Sequence, residues 1–399
     1  MALRMIFVGG FLGAGKTTLL AQAAGRLVRA GKRVGLVTND QAKDLVDTGI
    51  LTGGGFETQE VAGGCFCCRI NDLLDVSNKL RDKIKPDVII GEPVGSCTDL
   101  SATVINPLKA LHPDEYTVAP FSVMTDPARL RASLAGEEEE GRKGGGEEGR
   151  TARPSSRPPL LPSSPPPVSA TSGLPDSVVY IFRKQLEEAD AIVLNKADLL
   201  TPAEMVELRG LIERHFPFRR VFTMSAAGGE GVDPWLDYVM TDSHSGTRIV
   251  PVDYKLYAQG EAELGWLNAT ADLRADGQID WKAYCVSLLT VLQEEFRRQG
   301  AEVAHAKLLL TAPGCTLMAN ITDSQGVPAV RGACTAAARA AQLVVNARVR
   351  IAPADLQSTL TGCLRCVGAG AVHAAIRTIE SFRPSPPTPV YRYKDVVKP

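Results

Sequence analysis

The chain has 399 residues, 44% of them hydrophobic, and a formal net charge of -1. That length predicts about two domains with packed cores, and the near-neutral balance excludes a general affinity for nucleic acid or anionic membranes. The longest apolar runs are strand-sized, short of the ~20 residues that span a bilayer, and a strand begins at the third residue with no leader ahead of it, so the sequence reads as a cytoplasmic protein.

Leu3–Val8 reads as the first strand. Thr17–Ala30 follows with Leu20, Ala23, Ala24, Leu27 and Val28 at helical spacing and stops at Gly31. Arg33–Thr38, Val88–Ile90 and Thr117–Met124 read as further strands, and this alternation predicts an α/β fold with a mainly parallel sheet. From about 135 to 175 the rhythm breaks into Glu137–Glu140, Gly144–Gly146 and Pro165–Pro167, too poor in apolar area to offset chain entropy; a disordered insertion is expected. The alternation resumes with a helix at Ser177–Ala189, a strand at Ala191–Leu194, a helix at Pro202–His215 and a strand at Arg220–Met224. After about Ser245 the texture changes to strand-like runs at Ile249–Tyr257, Leu264–Thr270, Lys307–Thr311, Thr316–Ile321 and Gln342–Ile351. Helices are expected at Trp281–Gln299 and from Pro353. The expected organisation is therefore a P-loop domain over residues 1–245 and a smaller C-terminal α/β domain over 246–399.

The strongest chemical signal is the run Gly9-Gly10-Phe11-Leu12-Gly13-Ala14-Gly15-Lys16-Thr17-Thr18 after the first strand. It fits the Walker A pattern: Gly10, Gly13, Ala14 and Gly15 wrap phosphates with backbone N–H groups, Lys16 reaches the β and γ phosphates, and Thr17 ligates magnesium, with Thr18 beside it. Asn195-Lys196-Ala197-Asp198 ends a late strand. There the Asp198 carboxylate can accept two hydrogen bonds from guanine that adenine cannot supply, which selects GTP. Ser225 and Ala226 suit a backbone contact to the guanine carbonyl.

Glu92-Pro93-Val94-Gly95 follows another strand, so Glu92 can hold magnesium through water and Gly95 can face the γ-phosphate. Ser96 stands where Ras-like enzymes carry a water-orienting glutamine, so slow intrinsic hydrolysis is expected. Asp40, Asp44 and Asp47 fall where a switch segment would lie, and Asp40 is a candidate ligand.

Nine cysteines are many for a reducing compartment. Cys65, Cys67 and Cys68 in Gly63-Gly64-Cys65-Phe66-Cys67-Cys68 are soft ligands suited to Zn²⁺, and also to Co²⁺ or Cu⁺. In extended backbone Cys65 and Cys67 point one way and Cys68 the other, so all three ligate only if the strand bends. Cys97 and the pair Cys363 and Cys366 are weaker candidates. Cys285, Cys315 and Cys334 read as small buried hydrophobes.

The ordered set of Walker A, Cys65-x-Cys67-Cys68, the Glu92 element and Asn195–Asp198 resembles the CobW/HypB/UreG family of metal-handling GTPases, its CobW-like branch in particular. The resemblance covers 1–135 and 176–245, and the C-terminal part more loosely. It implies GTP·Mg²⁺ hydrolysis coupled to delivery of a transition metal, zinc or cobalt, to a client metalloprotein, with Cys65, Cys67 and Cys68 as ligands. Oligomerisation is left open. The alternative is a GTP-dependent activator of a cobalamin or other metalloenzyme, carrying only a structural metal. The sequence departs from the family in reading Thr38-Asn39-Asp40-Gln41 where an Asn-Glu segment is usual, and in lacking a histidine-rich stretch.

Overall fold

The computed structural model describes residues 2–41, 46–134, 175–322, 324, 326–335, 338–368 and 370–398. The insertion expected at 135–175 lies outside the described residues except for Pro175, and Asp44 lies outside them too. The first strand forms as β1 (Leu3–Gly10), followed by α1 (Lys16–Arg29), β2 (Val34–Asp40), α2 (Val46–Gly53), β3 (Glu57–Ala62), α3 (Ile70–Ile84) and β4 (Val88–Glu92). A π-helical turn at Ser101–Ile105 runs into α4 (Asn106–Leu111). The strand expected at Thr117–Met124 forms as two, β5 (Tyr116–Val118) and β6 (Ser122–Thr125). The break falls at Pro120, which has no N–H to give to a ladder. Then come α5 (Asp176–Glu188), β7 (Ala191–Leu194), α6 (Pro202–His215), β8 (Arg220–Thr223) and α7 (Val232–Thr241).

These strands make one eight-stranded sheet in the order β3-β2-β4-β1-β6-β7-β8, with β5 also against β1. Each pairing in it is parallel. Alternation along β1 sends Leu3, Met5 and Phe7 into one core and Ile6 and Val8 into another on the opposite face. Covered faces on both sides explain why these strands read as continuous apolar runs. The phosphate loop leaves the C-terminal end of β1, where the order reverses, the usual ligand position in such sheets.

The run Ile249–Tyr257 is not a strand: 246–253 is irregular and α8 (Tyr254–Ala262) begins within it. The Asp253 side chain accepts from Lys255 N and Leu256 N at 2.8 and 3.2 Å and caps that helix. A second, six-stranded sheet follows, in the order β12-β11-β10-β13-β9-β14 and antiparallel throughout. Its strands are β9 (Gly265–Ala275), β10 (Val303–Ala312), β11 (Cys315–Ile321), β12 (Ala329–Cys334), β13 (Ala340–Val349) and β14 (Val372–Phe382). Helices α9 (Trp281–Arg298) and α10 (Pro353–Cys366) share one apolar core with it.

Cys315 and Cys334 stand opposite each other on β11 and β12 as a disulfide. This corrects the expectation of two isolated buried thiols, and Cys334 is exposed because β12 is an edge strand. Cys285 is buried as expected. Among the described residues no helix is long and apolar enough to cross a membrane.

Candidate nucleotide and metal site

Gly10, Gly13 and Gly15 all have positive φ, at 128°, 77° and 101°. A Cβ on Gly10 would sit 2.3 Å from Met124 O, and one on Gly15 would sit 2.3 Å from Asn195 Nδ2. Only glycine permits this loop to curl so tightly against its neighbours. Lys16 Nζ bends back over the curl, donating to Gly10 O at 2.9 Å and Phe11 O at 3.4 Å. Burial lowers its pKa although Glu92 counters the shift.

The loop opens into a cavity of about 470 Å³ whose walls include Gly13, Gly15–Thr18, Glu92, Asn195, Lys196, Asp198 and Ala226. That volume suits a nucleotide-sized ligand. Asn195 fastens the two ends together: its Nδ2 donates to Ala14 O at 2.7 Å and its Oδ1 accepts from Ala226 N at 2.9 Å. The Ala226 N–H anticipated for guanine is thus already used, while Ser225 Oγ accepts from Gly228 N. Asp198 is exposed at the rim, its carboxylate open to a base. Gly95 packs on the loop from outside the cavity, where a Cβ would meet Leu12 Cδ2 at 2.5 Å. Gln185 Nε2 donates to the Gly95 and Cys97 carbonyls at 3.0 and 2.9 Å.

The Thr17 hydroxyl lies 2.7 Å from Asp47 Oδ1 and 3.2 Å from Glu92 Oε1. Glu92 is buried and its Oε2 has no hydrogen-bond partner. Burial, reinforced by Asp47, raises its pKa to about 7. A hydroxyl and two carboxylates, one of them with an orphaned buried oxygen, form a hard-oxygen set that fits Mg²⁺. Asp40, the ligand anticipated from sequence, instead accepts a two-pronged contact from Arg348 Nη2 at 2.9 and 2.7 Å. Arg348 is almost fully buried and stacks on Trp266 at 4.1 Å. Such a desolvated cation demands a carboxylate, so Asp47 rather than Asp40 serves Thr17.

Sequence reading missed Lys307. It reaches in from β10 and donates to Asp47 Oδ1 and Oδ2 at 2.7 and 2.8 Å. Burial pushes Asp47 up, but Lys307 and the Thr17 hydroxyl outweigh it and hold the carboxyl below its usual value. The available signal was a lysine set between apolar residues in a mostly buried strand.

The cysteine loop bends into a turn rather than running extended. Cys68 N and Arg69 N both donate to Cys65 O at 3.0 Å and lead into α3. The turn brings Cys65 Sγ to 2.6 Å from Cys67 and 3.4 Å from Cys68, with Cys67 and Cys68 3.8 Å apart. All three ligand atoms fit within 4.8 Å. Cys65 and Cys67 are buried, and Cys68 is half-buried. Cys97 is buried in the same core as Cys65 and Cys67 but is not one of the three clustered ligand atoms. The neighbouring Cys67 and Cys68 sulfurs hold Cys65 well below its ordinary value, while Cys67 rises. Cys68 rises to about 11. The cluster thus concentrates thiolate character on one sulfur. Cys363 and Cys366 lie apart from it, on α10. None of these sulfurs lines the nucleotide cavity.

A parallel sheet ending in a phosphate-wrapping loop, with a base-side Asn195–Asp198 element, defines a P-loop nucleotide-binding protein. The profile of the CobW/HypB/UreG nucleotide-binding domain matches residues 4–220, and the chain belongs to that family of GTPases. It is similar to the zinc chaperone CobW of a Sinorhizobium species, at 30% identity over 222 residues, 51% of this chain and 53% of that protein. The match thus spans about half the length of that relative. Among solved structures, HypB from Helicobacter pylori in complex with nickel aligns with a TM-score of 0.38 at 14% identity, covering 60% of this chain and 86% of that one. The Zn(II)-bound YjiA GTPase from E. coli aligns with a TM-score of 0.33 at 14% identity, covering 91% and 99%.

Proposed function

We propose that the protein is a GTP-hydrolysing metallochaperone that takes up a thiophilic divalent ion, zinc or cobalt, in the GTP state and releases it to a client protein after hydrolysis. One observation carries this reading. The short segment from Glu92 to Cys97 has one end beside the Thr17 hydroxyl and the other in the buried core that also holds Cys65 and Cys67. Movement of that segment with the terminal phosphate would therefore reach both sites.

In this reading the glycine loop and Lys16 hold the phosphates, with Ala14 and Thr18 on the same loop. Asp198 selects guanine, and Lys196 and Asn195 shape its slot. Thr17, Asp47 and Glu92 would hold magnesium, which supplies charge neutralisation at the β and γ phosphates. Gly95 lets the following segment approach the P-loop. Cys65, Cys67 and Cys68 bind the cargo ion, and the thiols must lose protons to do so.

Metal titration of the protein loaded with GDP or with a non-hydrolysable GTP analogue tests the coupling. The expected result is Zn²⁺ or Co²⁺ affinity at least several-fold tighter with the analogue, and loss of binding in Cys67→Ala. Equal affinities in the two nucleotide states would remove it, because a ligand shifts an equilibrium only by its differential affinity. A second reading, a GTP-dependent activator with a purely structural metal, is favoured by the burial of Cys65 and Cys67, since structural sites are closed to solvent. Radiolabelled zinc that stays bound through repeated turnover with a client would select that second reading.

A further inference from the structure

Lys307 is the fifth residue of β10, VAHAKLLLTA, and its neighbours Ala306 and Leu308 are fully buried. Across the ladders it is in register with Asn320 on β11 and Asn346 on β13. The three form a polar row across the sheet. Asn346 Oδ1 accepts from Val46 N at 2.8 Å, and Asn320 lines the nucleotide cavity. Thr322, at the end of the same sheet, lies over Gly13, where a Cβ would meet its Cγ2 at 3.0 Å. The antiparallel sheet thus closes the phosphate end of the cavity and pushes one ammonium into it.

A charge in such a place costs several kcal/mol unless partnered. Here Asp47 partners it, and that carboxylate also takes the Thr17 hydroxyl. The cavity wall therefore holds Lys16 and Lys307 against Asp47 and Glu92 around one hydroxyl. In P-loop enzymes the P-loop lysine alone does not neutralise the charge that grows on the γ-phosphate, and a second cation in cis or in trans lowers the barrier.

We propose that Lys307 is that second cation: a lysine supplied in cis by the C-terminal sheet, which contacts the terminal phosphate of GTP and stabilises it during hydrolysis. In the step it assists, the oxygen of water bonds to the γ-phosphorus. The bond to the β–γ bridging oxygen breaks, and its electron pair leaves on GDP. Of the water's two protons, one remains on inorganic phosphate and the other passes to solvent. Contact with the γ-phosphate gives the C-terminal half a direct reading of the nucleotide state. The inference rests on the GTPase reading above.

The test uses the full chain with Lys307→Gln, which can still donate to Asp47, and Lys307→Arg. Lys307→Gln is expected to bind GDP·Mg²⁺ within about threefold of wild type. It should bind GDP with aluminium fluoride at least about 30-fold more weakly and hydrolyse GTP at least about 100-fold more slowly. Lys307→Arg should keep hydrolysis within about tenfold. Wild-type hydrolysis and aluminium fluoride binding in Lys307→Gln would overturn the proposal, as would equal losses for GDP and for the GTP analogue, which would mark Lys307 as a strut for α2. Should Lys307→Gln not fold, amine acylation of the wild-type protein mapped by mass spectrometry decides. Lys307 is expected to be protected several-fold better by the GTP analogue than by GDP, and equal labelling would overturn the role. If wild type hydrolyses no GTP, the GTPase reading fails by itself, while the difference between analogue and GDP still decides Lys307.

Discussion

Glu261 lies at the back of the phosphate-side segment, 2% exposed, and accepts from Ser96 Oγ at 2.5 Å. Burial raises its pKa to about 8 from an ordinary 4.5. The folded protein therefore holds a proton that the unfolded chain gives up near pH 4.5, so this group's contribution to stability falls as pH rises to about 8 and levels beyond. A shift of this size corresponds to a few kcal/mol, to order of magnitude. Glu261→Gln keeps the acceptor for Ser96 and has no proton to lose. The metal-free variant should melt close to wild type at pH 5 and about 5 °C or more above it at pH 8.5. Parallel melting curves of the two proteins across that range would show that the carboxyl is not held protonated in the folded protein. The same residue explains why Ser96, which stands where Ras-like enzymes carry a water-orienting glutamine, faces the C-terminal half.

Among the elements, the loop at 63–69 shows how one side chain can shape a site. Asn39 Nδ2 donates to Val61 O at 2.9 Å and to Gly64 O at 2.7 Å, and its Oδ1 accepts from Phe66 N at 2.8 Å. Asn39→Ala strands those buried groups, each worth about 1–3 kcal/mol when left unpaired. We expect zinc affinity, measured by competition with a chelator, to drop at least about tenfold while GDP affinity stays within about threefold. Unchanged zinc affinity would mean the turn holds itself. The Asn39 side chain stands beside a motif that was legible in sequence, yet its role was not. Walker A and Asn195–Asp198 are short runs whose functional groups are neighbours in sequence, so they can be read locally, as can helices such as α6 that begin at a Thr-Pro cap. β3, ETQEVA, escaped because it is an edge strand with mostly half-buried side chains and so carries no apolar run. The start of α8 was mistaken for strand because Ile249, Val250 and Val252 mimic a buried run, when Asp253 was the better guide. Lys307 and Arg348 come from strands far along the chain from Asp47 and Asp40, the carboxylates they choose. No local pattern contains that information.

At the scale of the whole molecule, the last described residues return to the cysteine loop. Thr388 N donates to Cys68 Sγ at 3.2 Å and Val390 N donates to Cys67 O at 3.1 Å. Arg392 Nε then meets the buried Asp99 carboxylate at 2.6 Å, Tyr393 N donates to Ala102 O at 2.9 Å, and Val397 N donates to Asn106 Oδ1 at 2.7 Å. The segment thus runs as a strap across the half-buried side of the thiol cluster and is pinned beyond it to the π-helical turn and α4. An N–H directed at a sulfur favours the thiolate form. A strap over the one accessible sulfur must also lift before an ion or a client thiol can approach. Its fastenings are few and mostly single hydrogen bonds, each worth about 1 kcal/mol net, so opening is within thermal reach. Deleting residues 385–399 should therefore raise the rate at which bound zinc exchanges to a chelator at least about tenfold. Zinc affinity at equilibrium should fall by less, because Cys65 and Cys67 lie deeper. Arg392→Ala, which releases only the Asp99 anchor, should move the exchange rate in the same direction by a smaller factor. Exchange at the wild-type rate in the deletion would place the ion's route elsewhere, and the deep side of the cluster, toward Tyr257 and the Glu92–Cys97 segment, would then be the way out.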